Sequence, residues 1–92
     1  MTMNPIQHNA LACNFEMHIE GKVSFIKYRP INRGIEVYNT EVEKSLEGNG
    51  IAGVLARHII DYARQNHLRI LPACPYMRVF MHTHPEYHDL IM

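Results

Sequence analysis

Between residues 14 and 42 apolar side chains come at every second position, and from Ile51 onward they come at every third and fourth. One element cannot obey both periods, so the chain must pass from sheet to helix across the stretch GNGIAG, residues 48–53. NFEMHIE puts Phe15, Met17 and Ile19 on one face and Glu16, His18 and Glu20 on the other, as a half-buried strand does. Glu20-Gly21 stands where a tight hairpin turn belongs, and KVSFIKY is the returning strand. RPINRG, residues 29–34, has turn chemistry. IEVYNTEV, residues 35–42, is then a third strand with Ile35, Val37 and Asn39 facing one way.

After the glycines, Ile51, Val54, Leu55, His58, Ile59 and Tyr62 share one helical face, while Arg57, Asp61, Arg64 and Gln65 fall on the other. The pattern predicts a helix from Ile51 to Gln65, closed by left-handed geometry near Asn66. RILPAC is a short strand limited by Pro72 and Pro75. A shorter helix is expected over Tyr76–Thr83, with a last turn over Glu86–Ile91. The order β-β-β-α-β-α describes an α/β (α+β) domain with a mostly antiparallel mixed sheet, one main crossover helix and a short C-terminal helix.

Ninety-two residues suit a single domain spanning 1–92, since a chain this short buries roughly 60–65% of its unfolded surface and supports one core. A formal charge of zero, with the basic residues scattered, argues against nucleic acid as partner. Two distant cysteines, Cys13 and Cys74, do not make a disulfide framework. No window reaches the ~20 apolar residues of a membrane span, and the opening MTMNPIQHNALACN lacks a basic segment followed by an apolar one. The expectation is a cytoplasmic protein without a membrane partner.

GNGIAG fits the G-x-G-x-x-G pattern of dinucleotide-binding folds, but its setting does not fit. That fingerprint follows the first strand of a parallel sheet and has an acidic residue about 20 positions on. Here antiparallel strands come first, and the acidic position is taken by Leu68 and Arg69. The physics of the loop is independent of the cofactor. Gly48 and Gly50 let the backbone approach a phosphate, and the helix start at Ile51 offers free amides and a positive dipole end. Taken alone, the stretch is more often a plain strand-to-helix turn than a phosphate site.

Residues 35–90, taken together, resemble the small single-domain members of the GNAT superfamily of acetyl-CoA-dependent N-acetyltransferases. The resemblance rests on Thr40 and Val42 ending the third strand, the G-x-G-I-A loop, the segment ILPACPY (70–76) and HPEYHDL (84–90). It implies a minimal GNAT-like fold and acetyl-CoA as cofactor. The pyrophosphate would lie on the amides of Gly48, Asn49, Gly50, Ile51 and Ala52. The pantetheine arm would run along Thr40, Glu41 and Val42, and Cys74 would sit near the thioester. It also marks Asn39 as a catalytic position, because relatives often have histidine there. A carboxamide cannot carry the proton that an imidazole can. Ser45 stands where larger relatives carry Gln or Arg, and Glu47 sets a negative charge beside the pyrophosphate site.

Two chemical classes follow. In the first, an acetyl group passes to an amine, either by direct attack with water, Glu36 or Glu41 taking the proton, or through Cys74 as nucleophile. In the second, the chain binds or senses acyl-CoA without catalysis, which Asn39 and Glu47 favour. Cys74 is otherwise a small buried hydrophobe, and Cys13, without a motif around it, is read as inert. Tyr76 is a proton donor or a packing aromatic. His82, His84 and His88 have the look of a metal set, but Pro85 breaks the helix that would align them, so no metal is expected. The Glu20-Gly21 turn leaves no room for helices walling an acceptor site. The acceptor side is therefore open, suited to a protein lysine, an N-terminus or a small amine, in a monomer or a homodimer whose second subunit completes it.

Overall fold

The computed structural model describes residues 6–92. Five strands, β1 (Ile6–Asn9), β2 (Asn14–Ile19), β3 (Lys22–Ile31), β4 (Gly34–Glu41) and β5 (Arg69–Pro72), form one sheet in chain order. The first four pair antiparallel, and β5 lies parallel to β4. The reversal is made by α1 (Ile51–Gln65), the crossover that parallel neighbours require. Helix α2 (Pro75–His82) and a 3-10 turn over Pro85–Leu90 complete the chain, with a further 3-10 turn over Lys44–Leu46 ahead of α1.

The hairpin between β2 and β3 is the tight Glu20-Gly21 turn expected, both residues having positive φ (52° and 76°), which matches the twist of the flanking strands. Two readings are corrected. RPINRG is not all turn: β3 continues through Pro30 and Ile31, and only Asn32 and Arg33 link it to β4. Pro30 is tolerated because β2 pairs with β3 only as far as Asn14↔Lys27, leaving that part of β3 with a partner on one side alone. The strand β1 is the second correction; four largely polar residues carry no visible period, and they are held through pairing with β2.

Helix α1 has the predicted bounds, but its buried stripe is Ile51, Leu55, Ala56, Ile59, Ile60 and Ala63. His58 is exposed instead, its Nδ1–H donating to the Val54 carbonyl at 3.2 Å. The left-handed residue that closes α1 is His67 (φ 56°) rather than Asn66. Leu68 N–H bonds Ala63 O at 2.8 Å and His67 N–H bonds Arg64 O at 3.2 Å, a Schellman closure that turns Leu68 onto the core. Leu55, Ile59 and Ile60 are fully buried against Ile26, Tyr28, Ile35, Val37 and Ile70. Each such aliphatic chain contributes about 1.5–3 kcal/mol.

Both helices pack into that one core, so among the described residues the opposite face of the sheet carries no helix. Val23, Tyr38 and Leu71 are exposed there, beside the Arg29–Glu36 ion pair (3.0 Å).

Candidate active site

Strands β4 and β5 pair only from Gly34↔Arg69 to Val37↔Pro72 and then separate. The backbone dictates the break. Pro72 and Pro75 have no N–H to give, and the amides of Ala73 and Cys74 both turn onto a single acceptor, Val37 O, at 2.9 and 3.0 Å. Pro75, with its fixed φ, starts α2 at the first helical position. Strand β4 runs on to Glu41 against β3 alone. A parting between the two strands results.

A bulge in β4 decides which side chains line that parting. Tyr28 faces Val37 and Lys27 faces Asn39, so Tyr38 is an extra residue without a partner on β3. Downstream of it the alternation is reversed. Thr40 opposes the fully buried Ile26 on the helix side, while Asn39 opposes Lys27 on the bare side. The expectation that Asn39 shares a face with Ile35 and Val37 is thus overturned. Tyr38 is also on the bare side, with the Arg29 guanidinium 4.2 Å from its ring centre.

Ahead of α1 the chain makes a concavity by omission. Gly48 and Gly50 adopt φ of 86° and 74°, and a Cβ at either would meet nothing within 4 Å. These glycines therefore serve backbone shape alone. Gly50 caps α1 without a side-chain bond, the first turn carries no acidic residue, and the first helical bond is Val54 N–H to Gly50 O at 3.1 Å. The amides before Val54 are left facing a cleft of about 290 Å³ lined by Val42, Leu46, Gly48, Gly50, Ala52 and Tyr76, among others. Asn49 is in the loop but its side chain donates back to Leu46 O at 2.8 Å, closing the turn. Ser45 is likewise engaged, taking a bond from Lys22 Nζ (2.6 Å) and giving its amide to Glu43 at 2.8 Å. The Ser45 hydroxyl, which also donates to Glu43, and then that amide hold the Glu43 carboxyl below its ordinary value.

Across the parting, Thr40 Oγ1 is 3.4 Å from Cys74 Sγ. Cys74 is 5% exposed and caps α2, its sulfur accepting the Met77 N–H at 3.4 Å. Tyr76, two residues on, is half-exposed in the cleft wall. Burial pushes its phenol above the ordinary value, the neighbouring Arg57 charge works the other way, and Cys74 adds to the rise.

The structure therefore gathers Thr40 with Cys74, and Val42, Gly48, Gly50, Ile51 and Ala52 around one cleft. It sets Asn39 and Glu41, which oppose Lys27 and Phe25, on the other side of the sheet. Sequence reasoning gave no role to Leu46 and Arg57; both stand at or beside the cleft, as does Gly53 at the end of the glycine stretch. The signal available for Arg57 was its i,i+4 spacing from Gly53. Two of the three histidines are committed elsewhere: His84 Nδ1–H donates to Phe80 O (2.6 Å) and His88 Nε2–H to His82 O (3.0 Å). Among the described residues no group of three or more His, Cys, Asp or Glu could hold a metal ion. None of their helices is long and apolar enough to cross a membrane.

Comparison with known proteins agrees with this geometry. The family described as GCN5-related N-acetyl-transferase matches residues 14–90. A GCN5-like protein from Staphylococcus aureus, solved in solution by NMR, shares the fold with a TM-score of 0.80 at 23% identity, over 100% of this chain and 91% of that one. No curated protein matches the chain. Since the family match runs from the start of β2 through the last 3-10 turn, taking in the parted strands and the glycine loop alike, the chain belongs to the GCN5-related N-acetyltransferases.

Proposed function

We propose that this acetyltransferase moves the acetyl group of acetyl-CoA to an exposed amine, a protein lysine or N-terminus before a small free amine. The observation that carries the reading is the junction of two features: the uncapped start of α1, and the edge of β4 that loses its partner after Val37. The first suits a pyrophosphate. The second leaves backbone donors and acceptors of residues 39–42 for an amide-bearing chain such as pantetheine. The residues present fit acetyl-CoA on these grounds, and the group would supply an activated acyl thioester.

The roles of the side chains follow from their surroundings. Gly48, Asn49, Gly50, Ile51 and Ala52 hold the diphosphate through backbone N–H groups. Thr40, Glu41 and Val42 offer the strand edge. Cys74 and Thr40 mark the thioester end. The Cys74 sulfur has a hydroxyl and an amide beside it but no histidine or carboxylate, so it lacks the base that a nucleophile needs. Direct attack by the amine is favoured, with positioning as the main catalytic contribution. Tyr76 keeps its proton at neutral pH and is the donor in the cleft wall. Asn39 and Glu41, on the bare face, meet the acceptor; Asn39 orients it by hydrogen bonding and Glu41 is the nearby carboxylate for its proton.

The open face favours a protein amine. A two-residue turn joins β2 to β3 and, among the described residues, no helix covers that side, which leaves it open to an extended chain. Incubation with acetyl-CoA and a panel of peptides, N-terminal amines and small amines tests this. Transfer confined to small amines would reject the acceptor assignment. Binding of acetyl-CoA with no transfer to any amine would favour a sensing module.

A further inference from the structure

Arg57 lies one turn beyond Gly53 on α1, and its side chain leans back toward the start of the helix, as helical side chains do. A Cβ at Gly53 would be 3.3 Å from Arg57 Nη1, 3.7 Å from Tyr76 Oη and 3.9 Å from Phe80 Cε2. The absent side chain at residue 53 thus makes room for a guanidinium on the lip of the cleft, since Gly53 and Tyr76 both line it. The ring of Phe80 backs that guanidinium at 5.3 Å.

Charge gives the second observation. Arg29 pairs with Glu36 and Arg64 with Asp89, Arg69 donates to Asp89 O, and Arg78 donates to Ala73 O. The Arg57 side chain, like that of Arg33 in the β3–β4 turn, makes no ion pair or hydrogen bond among the described residues, but Arg57 alone of the two is set over a ring at the cleft. Its charge is directed at the positive end of α1, whose first turn has no acid to balance it. Cleft-lining Glu47 is not within ion-pair distance. A fixed cation set against a helix N-terminus is repulsive unless an anion joins them.

We propose that Arg57, backed by the Phe80 ring, recognises the ribose phosphate of coenzyme A, a second phosphate distinct from the diphosphate on the loop amides. The proposal rests on the acetyl-CoA reading above. A phosphate monoester carries up to two negative charges and presents paired oxygens, which a guanidinium meets with two parallel N–H donors. The amides at Ile51 and Ala52 are already assigned to the diphosphate, and Arg57 stands beyond them along α1.

Calorimetric titration of the wild type, Arg57→Gln and Arg57→Lys with coenzyme A and with dephospho-coenzyme A tests it. The wild type should prefer coenzyme A by about tenfold or more, the scale of a charged hydrogen-bonded pair. Arg57→Gln should lose that preference while binding dephospho-coenzyme A within about twofold of wild type, and Arg57→Lys should keep part of it. Equal weakening of both ligands by Arg57→Gln, or a fall in melting temperature with discrimination intact, would overturn the proposal. A wild type that binds both ligands equally would overturn it alone. A wild type that binds neither would overturn the acetyl-CoA reading and this proposal together.

Discussion

Thr40 and Cys74 meet at 3.4 Å across two strands that have already stopped pairing. The contact closes the inner end of the parting without a backbone bond, and it sets a hydroxyl rather than a base next to the thiol.

Substitutions at Cys74 should therefore separate capping from chemistry. Cys74→Ser keeps an acceptor for the Met77 N–H and should leave stability near wild type, whereas Cys74→Ala loses the cap at about 1 kcal/mol. Both should retain coenzyme A binding and lose about tenfold or less in kcat. A stable acetyl adduct on Cys74 by mass spectrometry, turning over as fast as the reaction, would reverse this assignment.

Gly50→Val should abolish the rise in melting temperature given by acetyl-CoA. It should also destabilise the free protein by about 1–2 kcal/mol, because φ is 74° at that position even though no neighbour obstructs a side chain. The wild type should gain melting temperature from acetyl-CoA and not from NAD or NADP at equal concentration. Thermal scans of both proteins with the three nucleotides decide the matter.

Tyr76→Phe should lower kcat by about a hundredfold if the phenol is the proton donor. Because burial raises the phenol in the fold, its stabilising contribution is complete below the unfolded value of about 10 and is lost as pH rises through the higher folded value. Loss of the phenol proton should accordingly leave the rate untouched through neutral pH and lower it only in strong alkali. An ultraviolet phenolate titration of wild type against Tyr76→Phe locates the transition.

Gly34→Ala should destabilise strongly for a different reason from Gly50→Val. Its backbone is unstrained, but a Cβ would lie 2.5 Å from the carbonyl oxygen of Arg69, a backbone atom of the paired strand β5. Overpacking of this kind costs about 1–3 kcal/mol. Urea unfolding should show a loss of that size, with hydrogen-exchange protection falling first in β4 and β5.

Period carried most of the fold into view. The change at residues 48–53 placed α1 to the residue, and alternation placed β2 and most of β3 and β4. What stayed hidden breaks period or lacks it. Strand β1 has four residues of mixed polarity, and Pro30 resembled a turn because its one-sided pairing depends on where β2 begins. Asn39 was put on the wrong face because a bulge at Tyr38 reverses every later position, and no local composition announces it. At the candidate site, the glycine loop, Thr40 and Cys74 were legible as motif. Arg57 was not, because its neighbours Phe80 and Tyr76 come from another helix.

A parting between neighbouring strands is a passage through a sheet, with a mouth on each side. At its edge Thr40 serves one mouth and Asn39, the adjacent residue, serves the other. Donor and acceptor on that arrangement need not take turns: each can enter while the other is in place, and the reacting atoms meet within the thickness of one layer. On the proposed function, the order of events should therefore be sequential rather than ping-pong. Double-reciprocal plots at several acceptor concentrations should intersect, and coenzyme A should be able to leave while the acetylated chain still covers the bare face.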